Sequence, residues 1–517
     1  MTARLSPLAL AAAAIAVSSS GAAAAVPPGV IHELPRPTRV DEISAGPHGE
    51  LWFATTPRQK AVGWIGGDER VHRFDLPPHE TAERLVAAGG GAWFSYYRYR
   101  GPLAGGESGI AHVSRDGKVT NFQGYPDPGL IPDHLAVGPE GDVWFEGGGP
   151  LTGGEDWIGR MTPTGEYTMS PAGQPVGARI VSVSVDGDDV WFADGDNYTI
   201  GRRTPGGQLT QFAAARSDLR PWVDPPVFGA DGSAWFIGKE GSQGKGPGVY
   251  WVAKLAPGSS VAQRFGLGLS PKVTQIGSPA VAPDGSVWFG VEREAKPGTT
   301  ASPDGPAALG RLAPGGRITE FSRRLRPAER PEDLTVGPEG DVWFVGGTPR
   351  SHDYLRSSLG RVNAAGKIVE FRDGLPRESV LEELTASAGR LWFIDGLGGR
   401  IGELRPPAGT PNTFSVEFTD RRHRGTEVEV TVPGPGKVEI EETGVVTQGR
   451  VRPVAGLRSR AVRAGACGPV SIPLPFSPPL QRLLERRGSF RLRMTVTFTP
   501  RGGAPFSQPA GIALVPG

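Results

Sequence analysis

Carboxylate side chains occupy matching places along most of this 517-residue chain. Each lies ten or eleven residues before a Trp-Phe dipeptide, and the six are Asp41, Glu83, Asp133, Asp224, Glu332 and Glu382. If a repeating fold gathers them into a rim, their mutual repulsion would favour binding Mg²⁺ or Ca²⁺ through oxygen ligands. The same acids could instead cap turns through hydrogen bonds to the backbone. The spacing leaves both interpretations open.

A second candidate binding segment is the insertion over residues 96–109. It begins with Tyr96, Tyr97, Arg98 and Tyr99, which place aromatic rings beside a guanidinium group and so suit a polar ring or a peptide. The alternative is a loop that packs on its own aromatics. His134, next to one of the rim acids, is a further binding candidate.

Other kinds of chemistry find no matching motif. The eight His residues lack the spacing of a zinc site, and a single cysteine, Cys467, cannot form an internal disulfide. Neither a Gly-x-Ser-x-Gly elbow nor a Gly-Lys-Ser/Thr phosphate loop occurs. We therefore expect no organic cofactor.

The elements that must position these residues are set by the Trp-Phe dipeptide. The dipeptide occurs eight times, with spacings of 41 to 55 residues. Its copies begin at Trp52, Trp93, Trp144, Trp191, Trp235, Trp288, Trp343 and Trp392. Around each copy, four short β-rich runs are joined by Pro-x-Gly, Asp-Gly or Gly turns, which predicts a four-stranded antiparallel meander. Such a unit cannot bury both faces alone, so the units should stack as propeller blades with Trp-Phe between them.

The fold class predicted is all-β, an eight-bladed β-propeller over residues 26–405, with seven blades and one divergent repeat as the alternative. An open ring would leave bare edge strands. Because the last copy stops near Leu404, we expect residues 30–34 to complete it, although residues 414–418 could serve instead.

The chain after the propeller has a different pattern. A Pro/Gly-rich linker at 406–411 precedes alternating strands over 412–517, which predict a small β-sandwich module with a short helix at 479–486. The pattern itself does not indicate what the module binds.

The N-terminus and the charge balance indicate where the protein works. Residues 1–25 combine a positive charge, a short apolar run and an Ala-x-Ala pattern, typical of a signal peptide, so we expect a secreted, extracellular protein. No other apolar stretch reaches the length of a membrane span. With 55 basic and 54 acidic residues, nucleic acid is not an expected partner, and the protein is expected to be a monomer.

The repeat resembles that of the streptogramin B (virginiamycin B) lyase family over roughly residues 30–405. The likeness is carried by the runs Val281-Ala-Pro-Asp-Gly-Ser-Val-Trp-Phe289, Ile158-Gly-Arg-Met-Thr-Pro163 and Ile318-Thr-Glu-Phe321. The resemblance implies a propeller. It also implies, for active members, elimination at the ester of a cyclic depsipeptide by a histidine base and a magnesium ion held by glutamates.

The resemblance places the family's histidines two residues before the first apolar residue of an innermost strand. This chain has no histidine at the eight matching positions, which are Asp41, Glu83, Asp133, Val181, Asp224, Gly277, Glu332 and Glu382. His134 is one residue away, which would point it to the opposite face of the strand. The family's glutamate four residues after the last Trp corresponds to Gly396, and Glu292 alone has that spacing, so it joins the rim candidates.

From these residues we predict a ligand-binding or scaffold propeller that holds a small-molecule, peptidic or cell-surface ligand. The alternative is an enzyme, either a Mg-dependent carbon–oxygen lyase or a lactone hydrolase, with a rim carboxylate as base. A raised carboxylate pKa together with a bound metal would favour the enzyme.

Overall fold

The structure is a computed structural model that describes residues 2–4, 7–10 and most of 31–514. Between residues 31 and 514 it leaves out 35–38, 56–59, 68, 102–104, 123–131, 133, 148–156, 172–179, 196–198, 205–206, 214–225, 241–248, 270–272, 294–307, 324, 326–329, 348–356, 377–378, 388, 397–398, 407–413, 423–424, 433–434, 448–449, 453–458, 466–467, 488–489 and 502–504. Two of the predicted rim acids, Asp133 and Asp224, lie outside the described residues.

The first three strands each join a sheet formed by later parts of the chain. They are β1 (Thr2–Arg4), β2 (Pro7–Leu10) and β3 (Ile31–Glu33). β1 pairs with the outer edge of the sheet formed by residues 135–171, and β2 with that of the sheet formed by residues 80–122. β3 pairs with the sheet formed by residues 381–404.

Eight antiparallel sheets follow one another along the chain. Sheet 1 is β4 (Val40–Ala45), β5 (Leu51–Thr55), β6 (Ala61–Ile65) and β7 (Val71–Asp75). Sheet 2 is β8 (Glu80–Ala88), β9 (Gly91–Gly101), β10 (Gly105–Ser114) and β11 (Val119–Phe122). Sheet 3 is β12 (Leu135–Val137), β13 (Val143–Gly147), β14 (Trp157–Met161) and β15 (Glu166–Pro171). Sheet 4 is β16 (Ile180–Asp186), β17 (Asp189–Asp194), β18 (Thr199–Arg203) and β19 (Leu209–Ala213).

The next four sheets repeat this plan. Sheet 5 is β20 (Val227–Phe228), β21 (Ala234–Glu240), β22 (Val249–Leu255) and β23 (Gln263–Gly266). Sheet 6 is β24 (Val273–Ile276), β25 (Ala280–Val281), β26 (Val287–Arg293), β27 (Ala308–Leu312) and β28 (Ile318–Phe321). Sheet 7 is β29 (Arg330–Val336), β30 (Val342–Gly347), β31 (Ser358–Val362) and β32 (Ile368–Phe371). Sheet 8 is β33 (Leu381–Ser387), β34 (Arg390–Asp395), β35 (Arg400–Leu404) and β3.

The sheets pack face to face as in a β-propeller. First strands of successive sheets contact one another, as β8 does with β4 and β12, so these strands are innermost. A buried apolar cluster joins each sheet to the next, and one cluster, which includes Phe53 and Trp392, joins sheet 8 back to sheet 1. This packing follows from four-stranded units that each have two apolar faces to cover.

The Trp-Phe dipeptide has the structural role predicted for it. Seven of the eight Trp side chains are buried, and the exception is the partly buried Trp144. Within a sheet, the Phe ring lies over a glycine on the next strand, as Phe344 does over Gly360, its partner in the strand register. The recurring Ile/Leu-Gly-Arg motif therefore provides the space that the Phe ring needs.

Sheet 8 is completed by the N-terminal strand, as predicted. Ile31 pairs with Leu404, and the Leu34 amide donates to the Ile401 carbonyl at 2.9 Å. The competing candidate, residues 414–418, is wrong because that segment belongs to β36 (Ser415–Arg422), which pairs elsewhere.

The C-terminal module, residues 414–514, contains two further sheets and the predicted helix. β36, β37 (Gly425–Val432) and β41 (Gly468–Pro475) form one sheet. β38 (Gly436–Thr447), β39 (Arg450–Arg452), β40 (Ser459–Ala464), β42 (Phe490–Pro500) and β43 (Phe506–Leu514) form the other. Helix α1 (Pro478–Arg487) closes one end, and one apolar core is shared by both sheets and α1.

The module lies against the face of the propeller that carries the turns after the innermost strands, here called the turn face. Arg493 reaches Asp186 at 3.6 Å and Asp189 at 4.0 Å. A cleft of about 700 Å³ remains between Phe414 and Phe418 of the module and the turns of sheets 1–4. Among the described residues, no helix has the length and apolar character needed to cross a membrane.

Candidate functional site

The predicted rim lies at the start of the innermost strands, at the face opposite the turn face, here called the channel mouth. The strand register is irregular at this point in sheets 1, 2, 4, 7 and 8. An extra residue in one strand bends the chain and changes the direction of the side chains beside it. Simple alternation along the strand therefore does not decide which acids face the channel.

The described rim acids do not come together in one cage. Glu332 and Glu382 are exposed, and Glu83 accepts a hydrogen bond from Thr81 Oγ1 at 2.6 Å. Partial burial and the charge of Glu83 raise the pKa of Asp41, while Arg39 opposes the shift. Among the residues that the structure describes, no three His, Cys, Asp or Glu side chains come together to hold a metal. The described acids of the rim therefore form no cage of three carboxylates.

The residues that connect the sheets at the channel mouth follow the predicted acids by one position. The side chain of Glu383 in sheet 8 accepts a hydrogen bond from the Ile43 amide of sheet 1 at 2.9 Å. Asp333 of sheet 7 accepts one from the Glu383 amide at 3.3 Å. Glu42 of sheet 1 forms an ion pair with Arg84 of sheet 2. These contacts link four successive sheets around the mouth.

Backbone geometry explains why sequence alternation misses these residues. Asp333 and Glu383 have φ values of 47° and 54°, in the left-handed region that non-glycine residues rarely adopt. Both stand in the irregular part of their strands. The acidic pairs Glu332–Asp333 and Glu382–Glu383 are the only signal in the sequence that a second acid is available in these sheets.

Among the described acids at the channel mouth, Glu383 has a pKa far above its usual value. Burial raises its pKa to about 8, with further increases from Glu42 and Asp333 and a decrease from Arg84. Burial also raises the pKa of Asp333, and the hydrogen bond from the Glu383 amide lowers it. A carboxyl group with a pKa near neutrality can accept or release a proton under ordinary conditions.

Two other predicted site residues are in close contact with the side chain of another ionisable residue. His134 Nδ1 lies 2.6 Å from Glu146 Oε2 in sheet 3. Glu292 Oε1 lies 2.7 Å from a guanidinium nitrogen of Arg330, the first residue of the innermost strand of sheet 7. Both pairs connect the end of a second strand with the start of an innermost one, so they border the mouth.

The insertion at 96–109 is a strand extension rather than a free loop. β9 and β10 continue their pairing out to Gly101 and Gly105, with 102–104 outside the described residues. Tyr96 is completely buried, so it cannot contact a ligand. Arg98 is bound to the buried Glu80 at 2.6 Å, and Tyr99 is 47% exposed. Of these candidates, Tyr99 is exposed and Tyr97 and Arg98 are partly exposed.

Stacked four-stranded sheets with innermost strands around a channel define this protein as a β-propeller. Residues 29–246 match the sequence profile of the Virginiamycin B lyase family, which confirms the predicted resemblance. No curated protein sequence matches the chain.

Several solved structures overlap the chain. A catalytically inactive virginiamycin B lyase from Staphylococcus aureus with quinupristin is 18% identical, with a TM-score of 0.42 over 72% of this chain and 98% of that one. A streptogramin B lyase is 19% identical, with a TM-score of 0.41 over 72% and 96%. The β-propeller domain of the trilobed protease from Pyrococcus furiosus is 9% identical, with a TM-score of 0.41 over 65% and 98%. Overlaps this loose say nothing about activity.

Proposed function

We propose that the eight sheets are the blades of one propeller and that the C-terminal module is a β-sandwich. Apolar clusters between all successive sheets support the first statement, and the core shared by the module's two sheets supports the second. A chain with residues 1–25 removed on export would retain both parts.

We further propose that the protein is a secreted binding propeller that holds a small-molecule or peptidic ligand at the channel mouth. The observation that carries this proposal is the use of Glu383, Asp333 and Glu42 in contacts between sheets. Contacts between neighbouring sheets fix the position of the residues around the channel mouth. A surface that is already rigid lowers the entropic cost of binding a ligand. A Ca²⁺ or Mg²⁺ ion held at this mouth by three or more carboxylates would also draw on rim acids outside the described residues, which are Asp133 and Asp224.

The test uses virginiamycin B, a compound suggested by the family match. We expect calorimetric titration of the mature protein to show binding. Chromatography and mass spectrometry after incubation should recover the compound with unchanged retention time and unchanged mass. Reversing the exposed charges with Glu332→Arg and Glu382→Arg should weaken binding by about tenfold, or ~1.4 kcal/mol. Glu441→Arg, an exposed acid in the module, is the matched control. Equal affinity for all variants would contradict a site at the mouth.

A second candidate function is supported by the raised pKa of Glu383. In this case the Glu383 carboxylate accepts a proton from the carbon beside the substrate's carbonyl. A double bond forms between that carbon and its neighbour, and the ester oxygen on the neighbour leaves as a carboxylate with the electrons of the broken carbon–oxygen bond. Elimination would change retention at constant mass, whereas hydrolysis by a lactone hydrolase would add one water. Glu383→Gln would abolish either conversion, and turnover that survives this substitution would exclude Glu383 as the base.

A further inference from the structure

The near-neutral charge of the chain hides two oppositely charged parts. Residues 412–517 contain 15 basic and 8 acidic side chains, whereas residues 1–411 contain 40 basic and 46 acidic ones. The module is therefore strongly cationic, and the rest of the chain carries a net negative charge. A cationic unit of this size attracts polyanions at short range.

The strand register places eight arginines at one end of the module. β36 ends opposite the start of β37, Gly425 pairs with Pro475 at the end of β41, and α1 begins three residues later. In the other sheet, the end of β38 pairs with β39 and with the start of β42, which follows α1. This arginine end contains Arg421, Arg422, Arg450, Arg452, Arg482, Arg486, Arg487 and Arg491.

The arginine end differs from the propeller in how its charges are used. Arginines of the propeller commonly bind carboxylates, as Arg202 does with Asp189 at 2.5 Å. Arg482 and Arg486, which are both exposed, instead donate hydrogen bonds to the backbone of α1. Arg482 Nε donates to the Pro478 carbonyl at 3.3 Å, and Arg486 Nε donates to the Arg482 carbonyl at 3.1 Å. They lie one helical turn apart, where like charges repel each other. A polyanion would relieve that repulsion.

We propose that the arginine end is a docking surface for an anionic polysaccharide of the cell surface. Planar guanidinium groups bind carboxylates and phosphates through two parallel hydrogen bonds, and α1 presents two of them on an exposed face. Arg482 and Arg486 are exposed, whereas Arg493 of β42 contacts the turn face. Export, on which this inference rests, brings the protein to such polymers rather than to nucleic acid.

The experiment measures retention of the full mature protein on immobilised polygalacturonate across a salt gradient. We expect retention at about 50 mM NaCl, which is roughly one third of physiological ionic strength. The double substitution Arg482→Gln and Arg486→Gln should weaken binding by about tenfold and make it less salt-dependent. Lys437→Gln with Arg463→Gln removes the same charge at the opposite end of the module, where β38 pairs with β40, and should change binding little.

Three results would overturn the proposal: no retention of the wild type, equal losses in both double variants, or retention on duplex DNA alone. Circular dichroism melting of each variant shows whether Arg486 acts only by stabilising the C-terminus of α1. Virginiamycin B titration of the Arg482/Arg486 variant separates this surface from the channel mouth. Normal titration with lost retention would leave the proposed mouth function intact.

Discussion

Glu383 joins sheet 8 to sheet 1 through a single hydrogen bond, and its burial has a measurable consequence. The pKa is raised from 4.5 to about 8, so folding favours the protonated side chain. The stability that this group contributes is complete below about pH 4.5 and is lost as pH rises through 8. We therefore expect the urea concentration at the midpoint of unfolding to decrease as the pH rises from about 4.5 to about 8. The Glu383→Gln side chain stays neutral, so this variant should show a smaller decrease.

The matched control is Glu382→Gln, which changes the exposed neighbour of Glu383. This variant should keep the wild-type pH profile. A Glu383→Gln profile that parallels the wild type would show that the carboxyl group titrates normally and is not held by burial.

The residues at the channel mouth show where sequence reasoning succeeds and where it stops. Periodicity correctly places acids such as Glu382 at the start of an innermost strand. It cannot show that Glu383, one position later, makes the contact between sheets, because that depends on a local irregularity and a positive φ. Such features arise from packing between sheets and leave no period in the sequence.

At the scale of the strands, the packing of Phe344 on Gly360 can be tested directly. A Cβ at Gly360 would overlap the Phe344 ring, which is completely buried. We expect Gly360→Val to lower the free energy of unfolding by about 1–3 kcal/mol through overpacking. Gly315→Val is the control, because nothing lies within 4 Å of a Cβ there. Urea unfolding followed by tryptophan fluorescence measures both, and an equal loss in the two variants would show that the contact with the Phe344 ring is not the cause.

The strands themselves were predictable because turns and aromatic pairs recur in a fixed order. Pairing of β3 with β35 also follows from the sequence, since the last repeat lacks a fourth strand. The segment at 96–109 was not predictable as a hairpin extension, because its Tyr and Arg residues suit a binding loop equally well. Burial of Tyr96 distinguishes the two, and burial depends on the neighbouring sheet.

At the scale of the molecule, the stability of the propeller should depend on its N-terminal strand. Ile31 and Leu34 are buried between sheets, the Ile31 amide donates to the Asp373 carbonyl at 2.7 Å, and Glu33 pairs with Arg400. A chain that starts at residue 36 should lose at least about 3 kcal/mol of unfolding free energy relative to one that starts at residue 26. It should also aggregate, because β35 becomes a bare edge. Adding a peptide of residues 26–36 should restore the melting temperature, and a truncated chain as stable as the longer one would show that the ring does not need this strand.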